Sequence, residues 1–204
     1  MTTSIRSIEA SCIAAARGGR MLFRDLSFRI EAGGALSVEG PNGAGKTSLL
    51  RLIAGFLAPL DGRILVRAGG ADIEDAEERG KFVGWLGHAD AIKPQMRVRE
   101  TLAFYAGLYR SRAMVDAAMD AVGLAPLADL PGQYLSAGQR KRVALARLWL
   151  CGRPLWLIDE PLASLDASGK RIAAKMIAEH CEGGGIALVA THETLGLDCA
   201  RLTL

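Results

Sequence analysis

The sequence predicts an α/β fold in which a helical insertion, from about residue 89 to residue 150, interrupts an α/β core. Two short runs, Leu155–Ile158 and Ile186–Ala190, are apolar throughout. Such runs are typical of strands that are buried on both faces of a sheet. Within the insertion, Arg97–Tyr109 repeats apolar residues at the spacing of a helix. Together these patterns favour layers of helix around a buried sheet.

The remaining elements follow from local patterns and from the glycines that end them. The turn Asp61-Gly62 and the helix stops Gly55 and Gly123 separate the segments. Further strands are predicted over Ser7–Ala14, Leu26–Glu31, Ala35–Glu39, Arg63–Val66, Phe82–Leu86 and, as a last edge strand, Arg201–Leu204. Further helices are predicted over Ser48–Ala54, Ala113–Val122, Ala137–Leu150 and Ser168–Cys181.

The composition is that of a globular protein with a sizeable core. The chain has 204 residues, of which 50% are hydrophobic, and a formal net charge of +3. Acidic and basic residues are interspersed, and no basic run is interleaved with aromatic residues, so the sequence does not favour a nucleic-acid partner. The N-terminus lacks the apolar segment of a signal peptide. The longest apolar stretch, Trp149–Leu157, is cut by Arg153 and Pro154, so we expect no membrane span and a cytoplasmic chain.

The cysteines are scattered along the chain. Cys12, Cys151, Cys181 and Cys199 form no C-x-x-C pair, which indicates neither a zinc site nor a redox pair. We expect four buried or half-buried thiols in a reducing compartment. The chain also lacks C-x-x-C-H, so no covalent attachment of haem is expected. We also expect no direct haem binding.

A phosphate-binding loop follows the strand Ala35–Glu39. The loop reads Gly40-Pro41-Asn42-Gly43-Ala44-Gly45-Lys46-Thr47 and leads through Ser48 into a helix. Its glycines let backbone N–H groups surround a triphosphate, its lysine reaches the β- and γ-phosphates, and its threonine hydroxyl can hold Mg²⁺. The start of the following helix adds unpaired N–H groups to the same site. The loop therefore predicts nucleotide binding.

Two acids and a histidine follow the buried strands. Asp159 and Glu160 end the strand that begins at Leu155, at the edge where an open α/β sheet binds ligands. Asp159 there can organise Mg²⁺, and Glu160 can polarise an attacking water. His192 follows the strand Ile186–Ala190 at the same edge. Taken alone, the acids could be ordinary carboxylates, and a lone histidine is more often a structural hydrogen-bonding group than a catalyst.

Ser136 is predicted to cap a helix that is rich in basic residues. It precedes Ala137, Gly138 and Gln139, and Arg140, Lys141, Arg142 and Arg147 follow. On spacing alone, a capped helix with a solvated basic face explains this segment better than a functional site does.

In combination, these motifs resemble those of the ATP-binding cassette (ABC) ATPases, over essentially the whole chain. In family order they are Walker A (Gly40–Thr47), the signature loop (Leu135–Gln139), Walker B (Leu155–Glu160), the D-loop (Ala163–Asp166) and the switch histidine (His192). The resemblance implies one ABC ATPase domain over residues 1–204. It would have a RecA-like core (1–88 and 151–204), an antiparallel β subdomain and an inserted α-helical subdomain (about 89–150).

The resemblance further implies a head-to-tail homodimer with two ATP molecules at its interface. Ser136, Gly138 and Gln139 of one subunit would contact the γ-phosphate that the other subunit's Walker A loop binds. Glu160 would act as general base and His192 would contact the γ-phosphate, while Asp166 would shape the opposing site. Thr47 and Asp159 would hold Mg²⁺.

The chain departs from the family pattern in three places. Ala137 replaces the first glycine of the signature, which should be tolerated if the residue is helical. Gly87-His88-Ala89-Asp90 stands where a metal-contacting glutamine is expected, and His88 or Asp90 could take its place. The aromatic residue that stacks on adenine is missing near Arg17, whose guanidinium plane could stack instead.

Shorter strings resemble the ABC ATPases of bacterial cytochrome c biogenesis. They include Leu86-Gly87-His88 with Ile92-Lys93, and Arg142–Leu150. This resemblance implies integral membrane partners, a peripheral position on the cytoplasmic face of the bacterial inner membrane, and ATP hydrolysis that powers haem export or release. The alternative is the ATPase of an exporter for another substrate, such as a lipid or a drug.

Two other classes are disfavoured. Soluble ABC proteins of DNA repair or translation usually carry a coiled-coil insertion or a second cassette, and neither is present here. A module that binds nucleotide without hydrolysis would not require both Glu160 and His192. An apolar groove for a partner's helix could be lined by Trp85, Met96, Phe104, Tyr105 and Tyr109, although these residues could equally fill the core of the insertion.

Overall fold

Two β-sheets organise the chain. The computed structural model describes residues 4–88, 90–111 and 114–204. The first sheet is antiparallel, and its strands lie in the order β2-β1-β4-β5. Its strands are β1 (Ile5–Arg17), β2 (Arg20–Glu31), β4 (Asp61–Ala68) and β5 (Ala71–Ile73).

The second sheet is parallel, with the order β6-β7-β8-β3-β9. Its strands are β3 (Ala35–Glu39), β6 (Val83–Leu86), β7 (Leu155–Asp159), β8 (Ile186–Ala190) and β9 (Ala200–Thr203). Because β3, β7 and β8 run parallel to one another, the segments that follow them emerge from the same edge of the sheet. The Walker A loop, the two acids and the switch histidine are these segments.

Six α-helices lie in the described ranges. They are α1 (Lys46–Ile53), α2 (Ala76–Gly80), α3 (Val98–Leu108), α4 (Val115–Ala121), α5 (Ala137–Leu150) and α6 (Ala167–Glu182). Helices α3, α4 and α5 come between β6 and β7 in the chain.

The alternation of side chains along the parallel strands divides the core into two layers. In β7, Leu155 and Leu157 point into a core shared with α1 and the antiparallel sheet. Trp156 and Ile158 point to the opposite face, into a core shared with α3 to α6. Because both faces are covered, the strand is apolar at every position except the last, as parallel sheets require. The helical segment thus shares its core with the sheet that carries the acids.

The expected α/β architecture is confirmed. A parallel core sheet is flanked by an antiparallel β subdomain, and helices are inserted between β6 and β7. Strand β9 is the edge strand that the sequence predicts. The predicted helix over 113–122 is present as α4, although Ala113 lies outside the described residues, as does Ala89. The limits of the helical subdomain, residues 89 and 150, stay a prediction.

The expectation of four buried or half-buried thiols is wrong for Cys12, which is exposed. Between Ala10 and Ile13 the register of β1 with β2 shifts, and Cys12 takes a positive φ of 49°. Its backbone N–H donates to the Ser27 hydroxyl at 2.8 Å instead of to a ladder carbonyl. The irregularity turns the thiol away from the core. Separately, among the described residues no helix is both long enough and apolar enough to cross a membrane.

Candidate nucleotide-binding site

The Walker A loop connects β3 to α1 and is shaped by a glycine at the helix start. Gly45 has a φ of 112°, a conformation that L side chains rarely adopt. A Cβ at this position would lie 3.2 Å from the Leu22 Cβ and 3.3 Å from the Phe23 ring. Only glycine therefore lets the loop pass close to the antiparallel sheet and still present the first N–H groups of α1 to a ligand.

Lys46 extends across this loop. Lys46 is only 7% exposed, and its ammonium donates to the carbonyls of Gly40 at 2.7 Å and of Pro41 at 3.3 Å. A buried ammonium needs such partners because desolvation of the charge is costly. The loop thus holds a positive charge beside its backbone N–H groups, which suits a polyphosphate.

Walker A and Walker B meet through Thr47 and Asp159. The Thr47 hydroxyl donates to Oδ2 of Asp159 at 2.8 Å, and Asp159 is only 6% exposed. A hydroxyl and a carboxylate are hard oxygen ligands of the kind that Mg²⁺ prefers. Among the described residues, no group of three or more His, Cys, Asp or Glu side chains is arranged to hold a metal. A metal here would therefore share its coordination with phosphate oxygens or water, which is how Mg²⁺ is usually bound.

Glu160 and His192 form a second pair at the same edge. The His192 Nδ1 donates to Oε2 of Glu160 at 2.9 Å. Glu160 is held with a positive φ of 48°, and its N–H donates to the Ala190 carbonyl at 2.8 Å. A glutamate in this conformation carries backbone strain of about 1–3 kcal/mol, which is found most often at functional sites.

One cleft of about 760 Å³ brings most of the predicted nucleotide residues together. Its lining includes Arg17, Asn42, Gly43, Gly45, Lys46, Thr47, Ser48, His88, Asp159 and Glu160. His192 reaches the cleft through its contact with Glu160. Gly40 and Pro41 contribute the carbonyls that hold Lys46.

Four lining residues of this cleft were not predicted as site residues from the sequence: Leu22, Arg51, Trp85 and Gly87. Arg51 comes one turn after Ser48 on α1, so helical spacing from the loop could have indicated it. Trp85 is the third residue of β6, which runs parallel to β7 and therefore ends at the same edge. Nothing in the local pattern around Leu22 points to the cleft.

The signature residues lie in a separate cleft. Its lining includes Ser136, Ala137, Gly138, Gln139, Arg142, Ser164 and Asp166, none of which lines the first cleft in the described part of the chain. Ser136 caps α5 as predicted, accepting from the Gln139 N–H at 3.2 Å, while Oε1 of Gln139 accepts from the Ser136 N–H at 2.8 Å. Ala137 is the first residue of α5, so the helical conformation that would make alanine tolerable is present.

The D-loop packs tightly against the start of α5. A Cβ on Gly138 would lie 2.8 Å from the Ser164 carbonyl oxygen, and Ser164 itself has a φ of 66°. Asp166 caps α6 by accepting from the Gly169 N–H at 2.7 Å, and it also accepts from Arg142 at 2.9 Å. The Gly169 N–H, and after it the Arg142 guanidinium, hold the pKa of the Asp166 carboxyl below its ordinary value.

The structure distinguishes His88 from Asp90, the two residues that could replace the expected metal-contacting glutamine. His88 lines the nucleotide cleft. Asp90 instead lies 3.6 Å from the Lys141 ammonium and 4.0 Å from Nε of Arg140, both on α5. The structure therefore brings His88, and not Asp90, to the site of Asp159 and Thr47.

The aromatic residues of the predicted groove are exposed or half-buried, and two of them, Trp85 and Tyr109, pack against the cores. Phe104 is 56% exposed, and Trp85, Met96, Tyr105 and Tyr109 are half-buried. Arg147 connects them, since it stacks over the Tyr105 ring at 5.1 Å and donates to the Trp85 carbonyl at 3.5 Å. Phe56 meets the Trp85 ring with centroids 5.3 Å apart, and Tyr105 meets Phe104 at 5.3 Å and Tyr109 at 6.3 Å. We call the surface formed by these five rings the aromatic surface.

The fold and the cleft define a P-loop nucleotide-binding protein. The family model described as "ABC transporter" matches residues 23–163, which include Walker A, the signature and Walker B. The chain belongs to the ABC transporter family, as one of its ATP-binding, ATP-hydrolysing proteins.

Individual relatives agree along nearly the full length. The chain is 46% identical over 189 residues to the cytochrome c biogenesis ATP-binding export protein CcmA of Rhodopseudomonas palustris (strain BisB5), covering 92% of each chain. It is 44% identical to the protein of the same name from Pseudomonas syringae pv. syringae (strain B728a), covering 92% of this chain and 89% of the relative.

Solved structures show the same fold. An ABC transporter ATP-binding protein from Pyrococcus furiosus superimposes with a TM-score of 0.84 at 24% identity, covering 97% of each chain. The structure of cbiO1 from Clostridium perfringens, part of the ABC transporter complex cbiONQ, superimposes with a TM-score of 0.76 at 25% identity, covering 91% of this chain and 78% of the other.

Proposed function

We propose that this chain is the ATP-hydrolysing subunit of a membrane complex that serves c-type cytochrome biogenesis by powering the export or release of haem. The ATPase part of this proposal rests on two neighbouring contacts at one edge of the sheet, Thr47 with Asp159 and Glu160 with His192. The role in cytochrome biogenesis is supported by the relatives named for that process, which are 44–46% identical over 92% of the chain.

The residues of the cleft have separate tasks in this proposal. Lys46 and the N–H groups at the start of α1 bind the β- and γ-phosphates. Thr47 and Asp159 would hold Mg²⁺, which would neutralise charge on the phosphate oxygens. Glu160 takes a proton from the attacking water, and His192 orients Glu160 and contacts the γ-phosphate. His88 adds an imidazole on the metal side, in place of the expected glutamine.

Arg17 is proposed to bind the adenine. It lines the cleft at the end of β1, and Leu22 of β2 lines the same cleft. A guanidinium plane can stack on a base, and the apolar side chain of Leu22 suits the same ring. Replacing Arg17 with Tyr, the type of residue that stacks in the family, should preserve ATP affinity, whereas Arg17→Ala should weaken it.

The complete site is proposed to form between two copies of the chain. Ser136, Gly138 and Gln139 surround a helix start that is suited to an anion, yet they lie in a different cleft from the Walker residues. In a head-to-tail dimer, the γ-phosphate held by Lys46 of one copy would fill the signature cleft of the other, and Asp166 would border the shared seam. ATP then closes the dimer, since only the closed state makes both sets of contacts.

The aromatic surface is proposed to receive an integral membrane subunit. It combines the exposed rings of Phe56 and Phe104 and three half-buried rings with the cation Arg147, and Trp85 also lines the nucleotide cleft. Exposed apolar area of this kind is typical of a surface that binds an amphipathic helix. The chain would accordingly sit as a peripheral protein on the cytoplasmic face of the bacterial inner membrane.

An experiment in the cell tests the pathway. The variant Lys46→Ala should be the only copy of the protein, and c-type cytochromes should be measured by haem staining and absorbance. The proposal predicts that they fall to background while the variant accumulates normally. Normal cytochrome levels would contradict the role in cytochrome biogenesis, and would favour an exporter of another substrate, such as a lipid or a drug. ATP hydrolysis by the unaltered protein in vitro is a separate readout.

A further inference from the structure

The backbone on both sides of His192 is anchored. Thr191 is fully buried, and its N–H donates to the Val38 carbonyl at 3.1 Å. Its hydroxyl accepts from the Glu193 N–H at 3.0 Å and donates to the Glu193 carbonyl at 3.3 Å. The His192 side chain, by contrast, is 60% exposed and meets Glu160. The position of the imidazole therefore depends on the residues that flank it.

The side chain of Glu193 is held from another element. Its carboxylate forms an ion pair and a hydrogen bond with the ammonium of Lys170, in the first turn of α6. Lys170 and Glu193 are 39% and 30% exposed, so the pair is partly withdrawn from solvent. Through this contact α6 restrains the residue that directly follows the switch histidine.

The D-loop leads directly into the first turn of α6. The Lys170 N–H donates to the Asp166 carbonyl at 2.9 Å, and the Asp166 side chain caps the helix and accepts from Arg142 of α5. One turn of helix is thereby fixed to the signature helix at its start and to the histidine loop through Lys170. A shift of the D-loop that carries this turn with it would move the anchor of Glu193 as well.

We propose that Lys170 is a positioning residue, which acts through Glu193 to hold the His192 loop in register with the D-loop, so that His192 stays on Glu160. The inference rests on the proposed role of Glu160 and His192 in hydrolysis. It assigns no contact with ATP to Lys170, which does not line the nucleotide cleft.

This role differs measurably from a structural one. A partly exposed ion pair contributes little to the free energy of folding, because water and salt screen it. Loss of the pair should therefore leave the thermal midpoint nearly unchanged. It should also leave the KM for ATP unchanged, because Lys46 and the start of α1 are untouched. The turnover number should fall, because His192 would leave Glu160 more often.

The test uses the purified full-length chain with Mg-ATP. In Lys170→Met and in Glu193→Gln, kcat should fall about threefold to tenfold, the range expected for a contact that couples two elements, with KM within about twofold. The matched control is Lys175→Met on the same helix, which removes the exposed i,i+4 pair with Glu179 at 3.6 Å and should leave kcat unchanged. The exchanged pair, Lys170→Glu with Glu193→Lys, should recover most of the lost kcat.

Three results would overturn the inference: unchanged kcat in Lys170→Met, a rise in KM with kcat unchanged, or an exchanged pair that is as impaired as the sum of the single variants. The proposed function would survive each of them, since the unaltered chain would still hydrolyse ATP. Absence of hydrolysis by the unaltered chain would overturn the proposed function, and this inference with it.

Discussion

The hydroxyl of Thr47 donates a hydrogen bond of 2.8 Å to the carboxylate of Asp159, which lies 112 residues later in the chain. The contact joins the first residues of α1 to the last residue of β7. Because α1 packs on β7, two motifs that are remote in sequence present their oxygens to one point of the cleft.

Removal of this hydroxyl should weaken the response to Mg²⁺. In Thr47→Val the shape is kept and the oxygen is lost. The Mg²⁺ concentration that gives half-maximal ATPase activity should rise about tenfold to a hundredfold, as expected for loss of a polar contact to a charged group. Thr47→Ser keeps the hydroxyl and should behave like the unaltered chain. An identical Mg²⁺ titration for Thr47→Val would refute the assignment of Thr47 as a metal ligand.

Gly138 should tolerate no side chain. In Gly138→Ala the new Cβ would lie 2.8 Å from the Ser164 carbonyl oxygen, which forces the start of α5 away from the D-loop. Overpacking of this kind costs about 1–3 kcal/mol. We expect reduced ATP-dependent association in light scattering, with normal ATP binding by single subunits.

The neighbouring change Ala137→Gly is the matched control for that prediction. It restores the usual family residue and adds no atoms, so it should cost at most about 1 kcal/mol of helix stability. Equal association by Gly138→Ala and Ala137→Gly variants would contradict the packing argument.

His180 should make folding sensitive to acid. Its ring stacks on Trp156 with centroids 3.9 Å apart, and its Nε2–H lies between the carbonyls of Pro154 at 3.2 Å and Ile186 at 3.3 Å. Burial lowers the pKa of His180 from 6.5 to about 4. Between these values the unfolded chain binds more protons than the folded one, so stability falls as pH falls through that window.

The size of that effect can be measured by urea unfolding at pH 7.5 and pH 4.5. Because His180 is protonated more readily in the unfolded state, the free energy of unfolding should fall between these pH values by roughly 3 kcal/mol at most. His180→Phe keeps the stacking on Trp156 but cannot titrate, so its stability should depend less steeply on pH. Parallel pH profiles for the two proteins would show that His180 is not the responsible group.

Arg79 should be essential to the junction between α1 and the antiparallel sheet. It is only 5% exposed, and its guanidinium donates to the carbonyls of Leu52, Ile64 and Glu74. Burial lowers its pKa. In Arg79→Met these buried carbonyls lose their donors, which should reduce the free energy of unfolding by about 3 kcal/mol. Arg79→Lys keeps the charge but not the forked guanidinium, so its free energy of unfolding should lie between those of Arg79→Met and the unaltered chain. Unchanged stability in Arg79→Met would contradict this role.

Much of the fold follows from local sequence. Strands β3 and β8 and helix α5 begin and end at the predicted residues, because continuous apolar runs and a capping serine mark them unambiguously. The short β5 and α2 were not predicted, since three and five residues are too few to show a period.

The parts that the sequence could not predict depend on contacts between distant segments. Trp85 and Leu22 enter the cleft only because the sheets bring β2 and β6 beside the Walker A loop. Asp90 faces Lys141 because α5 packs beside the loop after β6, and no local pattern distinguishes it from His88. Cys12 is exposed because a register shift interrupts the alternation of β1. The pairing of Lys170 with Glu193 likewise joins a helix start to a loop 23 residues away.

The central claim is that two copies of the chain enclose ATP and that each supplies half of the site. The most direct measurement is the mass of Glu160→Gln in solution with Mg-ATP, by light scattering, because this change keeps the shape of the side chain and removes its ability to accept a proton. The account predicts a dimer with ATP, a monomer without it, and a monomer with ATP when Lys46→Ala is added. A Glu160→Gln protein that binds ATP and stays monomeric at every protein concentration would contradict it.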